Sequence, residues 1–283
     1  MNKVAIVADT SHDMTFEMAE KYNIELIPYK LHMGDKEYKD QVDISSRDFY
    51  KRMEEEDFLK TSIPSVNDLK EVLDRLEEEG YTDAIILTAS DKVTGMYNMS
   101  SMLGKDYDKM RVHVINTDQI ASPLAILDIY ASELRDKGMS AYEIVKEIKR
   151  VLPQISVFAL FRTLKYVIKG GRFNKYAGMF GMLLGIKPLL ALQNGEVTVM
   201  EKTRGDKKSL QALVDAVVEK IGTAKRYRMS IFSGNNDKEL KLLKKMLKEK
   251  IQNAEFYIET ELTPVLGVHA GPRSIGASVI ILD

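Results

Sequence analysis

The sequence predicts an α/β protein with two domains: a mostly parallel open sheet with helices in the first, an α+β layer in the second. Three observations lead there. Short apolar runs at 4–8, 84–88 and 112–115 alternate with helix-like segments, the pattern of buried parallel strands. Each run ends in a polar turn of hydroxyl-bearing or small residues, where open α/β sheets hold their ligands. Around Pro153 the texture changes to strands, a hairpin and amphipathic helices, which sets the boundary between residues 1–152 and 153–283.

Taken in order, the run 4–8 stops at Asp9-Thr10-Ser11, the run 84–88 leads through Ala89-Ser90 to Thr94-Gly95, and the run 112–115 meets Asn116-Thr117-Asp118. Between the first two, Lys60-Thr61-Ser62-Ile63-Pro64-Ser65 places three hydroxyls and a proline at the entrance of a helix over 65–80. That helix is expected because Leu69, Val72, Leu73 and Leu76 share a face, with Ser65 as N-cap and Asp68 completing a capping box. Free amides at such an entrance suit a carboxylate or a phosphate; the ordinary alternative is a helix start and nothing more. Further helices are expected over 125–138 and 141–152.

Beyond Pro153, residues 155–161 read as a strand, and 164–168 lead into the turn Lys169-Gly170-Gly171-Arg172. Runs at 187–192 and 197–200 flank Asn194-Gly195, a strong hairpin signal. Helices over 207–221 and 237–251 alternate with strands at 229–233 and 256–259, and a strand at 275–281 closes the chain. Residues 176–185 are apolar but broken by glycines, which weaken a helix by about 1 kcal/mol each relative to alanine. Met179, Phe180 and Met182 there fit a lid over an apolar ligand, and equally a core helix that lets a neighbour approach.

Composition removes several function classes. Lys and Arg number 41 against 42 Asp and Glu, a net charge of −1, so bulk electrostatics do not favour nucleic acid. Cysteine is absent, which excludes disulfides, thiolate nucleophiles and cysteine-bound metals and favours a cytoplasmic setting. The first apolar run is too short for a signal peptide, and no apolar stretch approaches the roughly 18 residues of a membrane span. Phosphate-loop, dinucleotide, nucleophile-elbow and zinc-protease motifs are all missing. The histidines are His12, His32, His113 and His269, none at metal-ligand spacing, so no metal, cofactor or catalytic residue is expected. His32 and His113 read as structural and His12 stays open. His269, within Gly267-Val268-His269-Ala270-Gly271-Pro272, is placed to donate to an anion.

Several separated segments also carry a resemblance: Asp9-Thr10-Ser11, Glu37-Tyr38-Lys39-Asp40 with Val42-Asp43-Ile44, Lys60 to Ser65, Thr94-Gly95-Met96-Tyr97, Leu164 to Arg172, and His269-Ala270-Gly271-Pro272. In this order and spacing they resemble the DegV family, fatty-acid-binding proteins that include the FakB subunits of bacterial fatty acid kinase. The resemblance implies a two-domain α/β fold with a long-chain fatty acid buried between the domains. Thr61, Ser62, Thr94, Gly95 and His269 would hold its carboxylate, and Arg172 would sit at the mouth. It also implies a partner, an ATP-binding kinase subunit that phosphorylates the presented carboxylate, and is compatible with transient membrane contact. The chain itself would be a lipid carrier and not an enzyme, in keeping with the missing phosphate loop.

Three departures from the family pattern stand out. Thr94 replaces a usual serine, adding a methyl group; Arg273 replaces a common glycine, bringing a cation towards the head group or into solvent; and Asn116 to Pro123 replaces a segment richer in serine and glycine. Two other functions stay open on the residues: a small-molecule enzyme, hydrolase or kinase-like, using the same crevice, and a regulatory protein that only senses lipid.

Overall fold

Parallel strands β1 (Val4–Asp9) and β2 (Ile24–Ile27) open the fold, joined by a 3-10 turn at Thr10–His12 and helix α1 (Phe16–Lys21). The structure is a computed structural model that describes residues 3–56, 58–172 and 186–283. After β2 the chain leaves the sheet for a small antiparallel one, β3 (Lys30–Met33), β4 (Lys36–Lys39) and β5 (Leu59–Ser62), ordered β4-β3-β5, with α2 (Ser46–Arg52) between the last two. This sheet is absent from the sequence reading because each strand has only four residues, many of them charged. Helix α3 (Val66–Glu78), β6 (Asp83–Thr88), α4 (Met96–Asp106) and β7 (Arg111–Asn116) complete the first sheet, β2-β1-β6-β7, parallel throughout. β1 and β6 are buried at every residue, as unbroken apolar runs between helical layers must be.

Helix α5 (Ser122–Asp136) is buried over 12 of its 15 residues, the mark of a helix covered on all sides. Its apolar residues join Ile6 and Ile85 of the first sheet to Ile280 of the second in one cluster. Ser122 at its start meets Ser230 at 2.7 Å, and Ser230 meets Ser278 at 2.6 Å, so buried hydroxyls satisfy one another across the same contact. Helix α6 (Ala141–Val151) then packs Ile144 and Ile148 into that cluster.

The second sheet takes its strands from β8 (Ile155–Leu160) onward. Helix α7 (Lys165–Lys169) follows β8; β9 (Lys187–Gln193) and β10 (Glu196–Thr203) form the expected hairpin. The chain continues through α8 (Asp206–Ile221), β11 (Tyr227–Ser233), α9 (Asp237–Met246), α10 (Lys248–Asn253), β12 (Phe256–Glu261), α11 (Pro264–Ala270) and β13 (Ile275–Ile281). The order is β10-β9-β8-β13-β11-β12, antiparallel except between β11 and β12. Leu210, Leu213 and Val217 of α8 cover Met229, Ile231 and Val279 of this sheet.

Two expectations change here. The single helix over 237–251 is two helices that break at Leu247, whose ψ of 10° leaves the helical range and whose side chain is buried in the second core. His269 lies on a short helix, α11, and not in a glycine-rich turn; Pro264 at its first turn and Gly267 within it hide the helix from periodicity. Among the described residues no helix is long and apolar enough to cross a membrane.

Candidate functional site

The polar turns after β1, β6 and β7 face β8, β9 and α11 across a cavity of about 160 Å³. Val157, Ala159, Leu190, Leu192, Phe232 and Leu266 make its walls apolar. Its polar groups gather where Thr61, Thr94, Gly95, His269 and Arg172 meet. Thr61, Thr94 and His269 there are partly buried, while Gly95 and Arg172 are exposed.

Strand register decides what the Thr61 segment contributes. Thr61 pairs with buried Leu31, whereas Lys60 and Ser62 pair with His32 and Lys30, so neighbouring hydroxyls point to opposite faces of β5. Thr61 Oγ1 lies 2.9 Å from His269 Nε2 inside the cavity. Ser62 Oγ lies 3.0 Å from His32 Nε2 on the other face. Ser62, expected beside Thr61 at the head group, also borders the cavity, with its hydroxyl engaged by His32.

The helix entrance also moves. Ser65 Oγ accepts from Asp68 N–H at 3.1 Å, and the Asp68 carboxylate accepts from Ser65 N–H at 2.7 Å, so the start of α3 already holds an anion of its own. The Ser65 hydroxyl, which donates to the Asp68 carboxylate at 2.7 Å, and the Ser65 N–H together hold that carboxyl below its ordinary range. The start of α4 is different: Gly95 is its N-cap and no side chain caps it. Its first amides, beside Thr94 at the cavity, have no side-chain acceptor, and the same holds for the start of α5 at Ala121.

His269 is held by anchors from three directions. At the start of α11, Thr263 N–H donates to Asp13 Oδ1 at 3.2 Å and Thr263 Oγ1 donates to the Thr10 carbonyl at 2.8 Å. Thr61 engages Nε2, and Nδ1 is enclosed with no hydrogen-bond partner among the described residues, against Gly170, where a Cβ would stand 2.3 Å from it. Burial, with the Arg172 cation adding to it, lowers the His269 pKa to about 3, so the imidazole is neutral at neutral pH. Arg172 reaches the mouth because α7 ends in tightening bonds, Gly171 N–H to the Ile168 carbonyl at 2.9 Å and Arg172 N–H to the Val167 carbonyl at 3.2 Å. Its Nε donates to the Val93 carbonyl at 3.2 Å, which ties the two halves of the site together.

One group escaped the sequence reading. Tyr29 places its hydroxyl 2.7 Å from Thr94 Oγ1; an aromatic just after a strand and Pro28 carries no ligand signature. Ser11 borders the cavity and donates to Asp9 Oδ1 at 2.5 Å. Behind them His12 Nδ1 meets Asp128 at 2.7 Å and Nε2 lies 3.6 Å from Asp9, all fully buried, so His12 is structural. Burial opposes its charge, yet the carboxylates of Asp128 and Asp9 prevail and raise its pKa. His113 is likewise paired, with Asp83 at 3.1 Å. Among the described residues no His, Asp and Glu grouping could hold a metal.

Of the departures, Thr94 sits at the polar end, and residues 116–123 wall the cavity through Ile120 and Ala121. Arg273 does not border the cavity: it is exposed, in left-handed backbone at φ 59°, with its N–H on the Gly234 carbonyl. The expected lid residues Met179, Phe180 and Met182 lie outside the described residues.

The family model for the uncharacterised DegV family matches residues 3–282. The chain belongs to the DegV family. It is 36% identical over 279 residues to a DegV domain-containing protein of Clostridium acetobutylicum, with 98% of each chain covered. It is 29% identical over 286 residues to a fatty acid-binding protein of Thermotoga maritima, with 99% of each covered. The crystal structure of a DegV lipid binding protein from Thermotoga maritima is similar with a TM-score of 0.88 at 28% identity, over 99% of both chains. One of these DegV relatives is thus a fatty acid-binding protein and another a lipid binding protein, and the arrangement of sheets described above is the DegV fold.

Proposed function

We propose that this chain binds a long-chain fatty acid in the cavity and presents its carboxylate to a separate ATP-binding kinase subunit. The observation that carries the reading is the polarity of the cavity: apolar walls, with hydroxyls, an uncapped helix start, an imidazole and a guanidinium gathered at one end, where Gly95 and Arg172 are exposed. A tail of about fourteen methylenes gains roughly 0.8 kcal/mol each on burial, on the order of 11 kcal/mol before ordering costs, so the tail supplies affinity. A carboxylate needs donors wherever it leaves water, and Thr61, Thr94 and the α4 amides supply them. Because Gly95 and Arg172 are exposed at that end, a carboxylate oxygen there is accessible to attack the γ-phosphorus of a nucleotide held by another protein. ADP leaves and an acyl phosphate forms, with the fixed fork of Arg172 suited to the new phosphoryl group or to an acidic partner surface.

The enzyme alternative finds a weaker footing. Ser11 gives its hydrogen to Asp9, and the nearest buried imidazole, His12, is committed to Asp128. Titration with palmitate tests the binding half of the proposal: Thr61→Val and Thr94→Val should each weaken binding about tenfold, the worth of a hydrogen bond to a charged group, and unchanged affinity would refute the head-group site. Acyl phosphate formation with an added kinase subunit tests the presenting half. Arg172→Ala should lower that turnover more than it lowers palmitate affinity, whereas turnover without any partner would favour the enzyme.

A further inference from the structure

Tyr29 is 4% exposed, and its hydroxyl lies 2.7 Å from Thr94 Oγ1 at the polar end of the cavity. The residue is fixed along its backbone. Its N–H donates to Thr10 Oγ1 at 3.1 Å and its carbonyl accepts from Asp40 N–H at 2.9 Å. A phenol is a stronger acid than an aliphatic alcohol, so in this pair the phenol is the preferred donor. Burial, reinforced by the nearby Asp9 carboxylate, keeps that phenol protonated far above neutral pH. Thr94 is β-branched and has few side-chain rotamers. Once its oxygen accepts from Tyr29, its own hydrogen is free to point at a ligand. The phenol also faces Ser11, whose own hydrogen goes to Asp9, so Thr94 and Ser11 both offer it an oxygen, and Thr94 at 2.7 Å is the one in hydrogen-bond contact.

We propose that Tyr29 is a positioning residue: it donates to Thr94 Oγ1 and so aims the Thr94 hydrogen at an acceptor-only head group, an ionised carboxylate, in preference to a neutral alcohol. The proposal rests on the fatty-acid reading above. It assigns to Tyr29 a part in choosing between head groups and none in holding the tail. Loss of its hydroxyl leaves the apolar walls intact and lets the Thr94 hydroxyl turn away, which penalises a carboxylate and is tolerated by an alcohol that can itself donate.

The test measures dissociation constants for palmitate and hexadecanol in the full chain and in Tyr29→Phe, Thr94→Val and the double variant. Tyr29→Phe should weaken palmitate about tenfold and hexadecanol less than about twofold, and in the Thr94→Val background it should add almost nothing, since the two residues act through one hydroxyl. Equal losses for both ligands would make Tyr29 a packing residue and overturn the proposal, as would additive losses in the double variant. Failure of the unaltered chain to bind palmitate would instead overturn the fatty-acid reading. Thermal denaturation monitors folding; should Tyr29→Phe not fold, Tyr29→Leu also lacks the hydroxyl and carries the same expected shift in the palmitate-to-hexadecanol ratio.

Discussion

At the scale of single residues, what a side chain can do in the cavity depends on the strand face that carries it. Thr61, Thr94 and His269 stand out in the sequence as donors set among small residues, and all three meet at one end of the cavity. Which of two adjacent hydroxyls faces that cavity depends on pairing between β3 and β5, a register four residues long that no local pattern announces. His269 gives a pH prediction. Its folded pKa of about 3 lies below the roughly 6.5 of an unfolded histidine, so the folded chain refuses a proton that the unfolded chain takes. The associated stability is complete above pH 6.5 and is lost as pH falls towards about 3. In denaturant unfolding from pH 7 to pH 4.5, His269→Gln should lose less stability than the unaltered chain; parallel curves would contradict a neutral, enclosed imidazole. A second residue-scale prediction concerns Arg273, whose φ of 59° strains a residue with a side chain. Arg273→Gly should raise stability by about 1 kcal/mol, read as a higher melting temperature, and a lower one would show that the arginine side chain contributes more than its backbone costs.

At the scale of elements, periodicity identified the long helices and buried strands, and missed what is short or broken by special residues. The capping box of α3 was readable from Ser65 and Asp68, and it fills the helix start with the chain's own carboxylate, whereas α4 starts at the cavity with no side-chain cap. The hairpin was announced by Asn194-Gly195, but its docking was not. Both turn residues have positive φ, 50° and 77°, and the turn is clasped from the other sheet system: Ser90 Oγ donates to the Gly195 carbonyl at 2.8 Å and Lys92 Nζ to that of Asn194 at 2.6 Å. A Cβ on Gly195 would stand 2.4 Å from Ser90 Oγ. Gly195→Ala should therefore cost about 1–3 kcal/mol and speed palmitate release in a stopped-flow chase, because β9 and β10 wall the cavity. Release at the original rate would show that the clasp does not hold the cavity closed. At α7, Gly170→Ala should push the His269 ring from its place and weaken palmitate binding; retained affinity would mean that the ring has room to move.

For the whole molecule, the sequence marks where one sheet gives way to the next but not how the layers share a core. Helix α5 looked like one more amphipathic helix; being buried on all sides, it belongs to both sheets, and its buried serines meet Ser230 and Ser278 of the second. We propose residues 1–152 and 153–283 as two domains that unfold together, because separating them would bare one face of α5. A single calorimetric transition is expected, and two resolved transitions would contradict it. The cavity lies in that same arrangement, lined by turns of the first sheet and strands of the second, which is why its volume and polar end could not be read from sequence.

The central claim, that this cavity holds a fatty acid by its tail and shows its carboxylate to solvent, is tested most directly by denaturing freshly purified protein and identifying what it releases by mass spectrometry. A long-chain fatty acid in about one-to-one ratio is the predicted result, since a tail-driven site keeps its ligand through purification. Protein that releases no lipid and takes up none when palmitate is added would contradict the account.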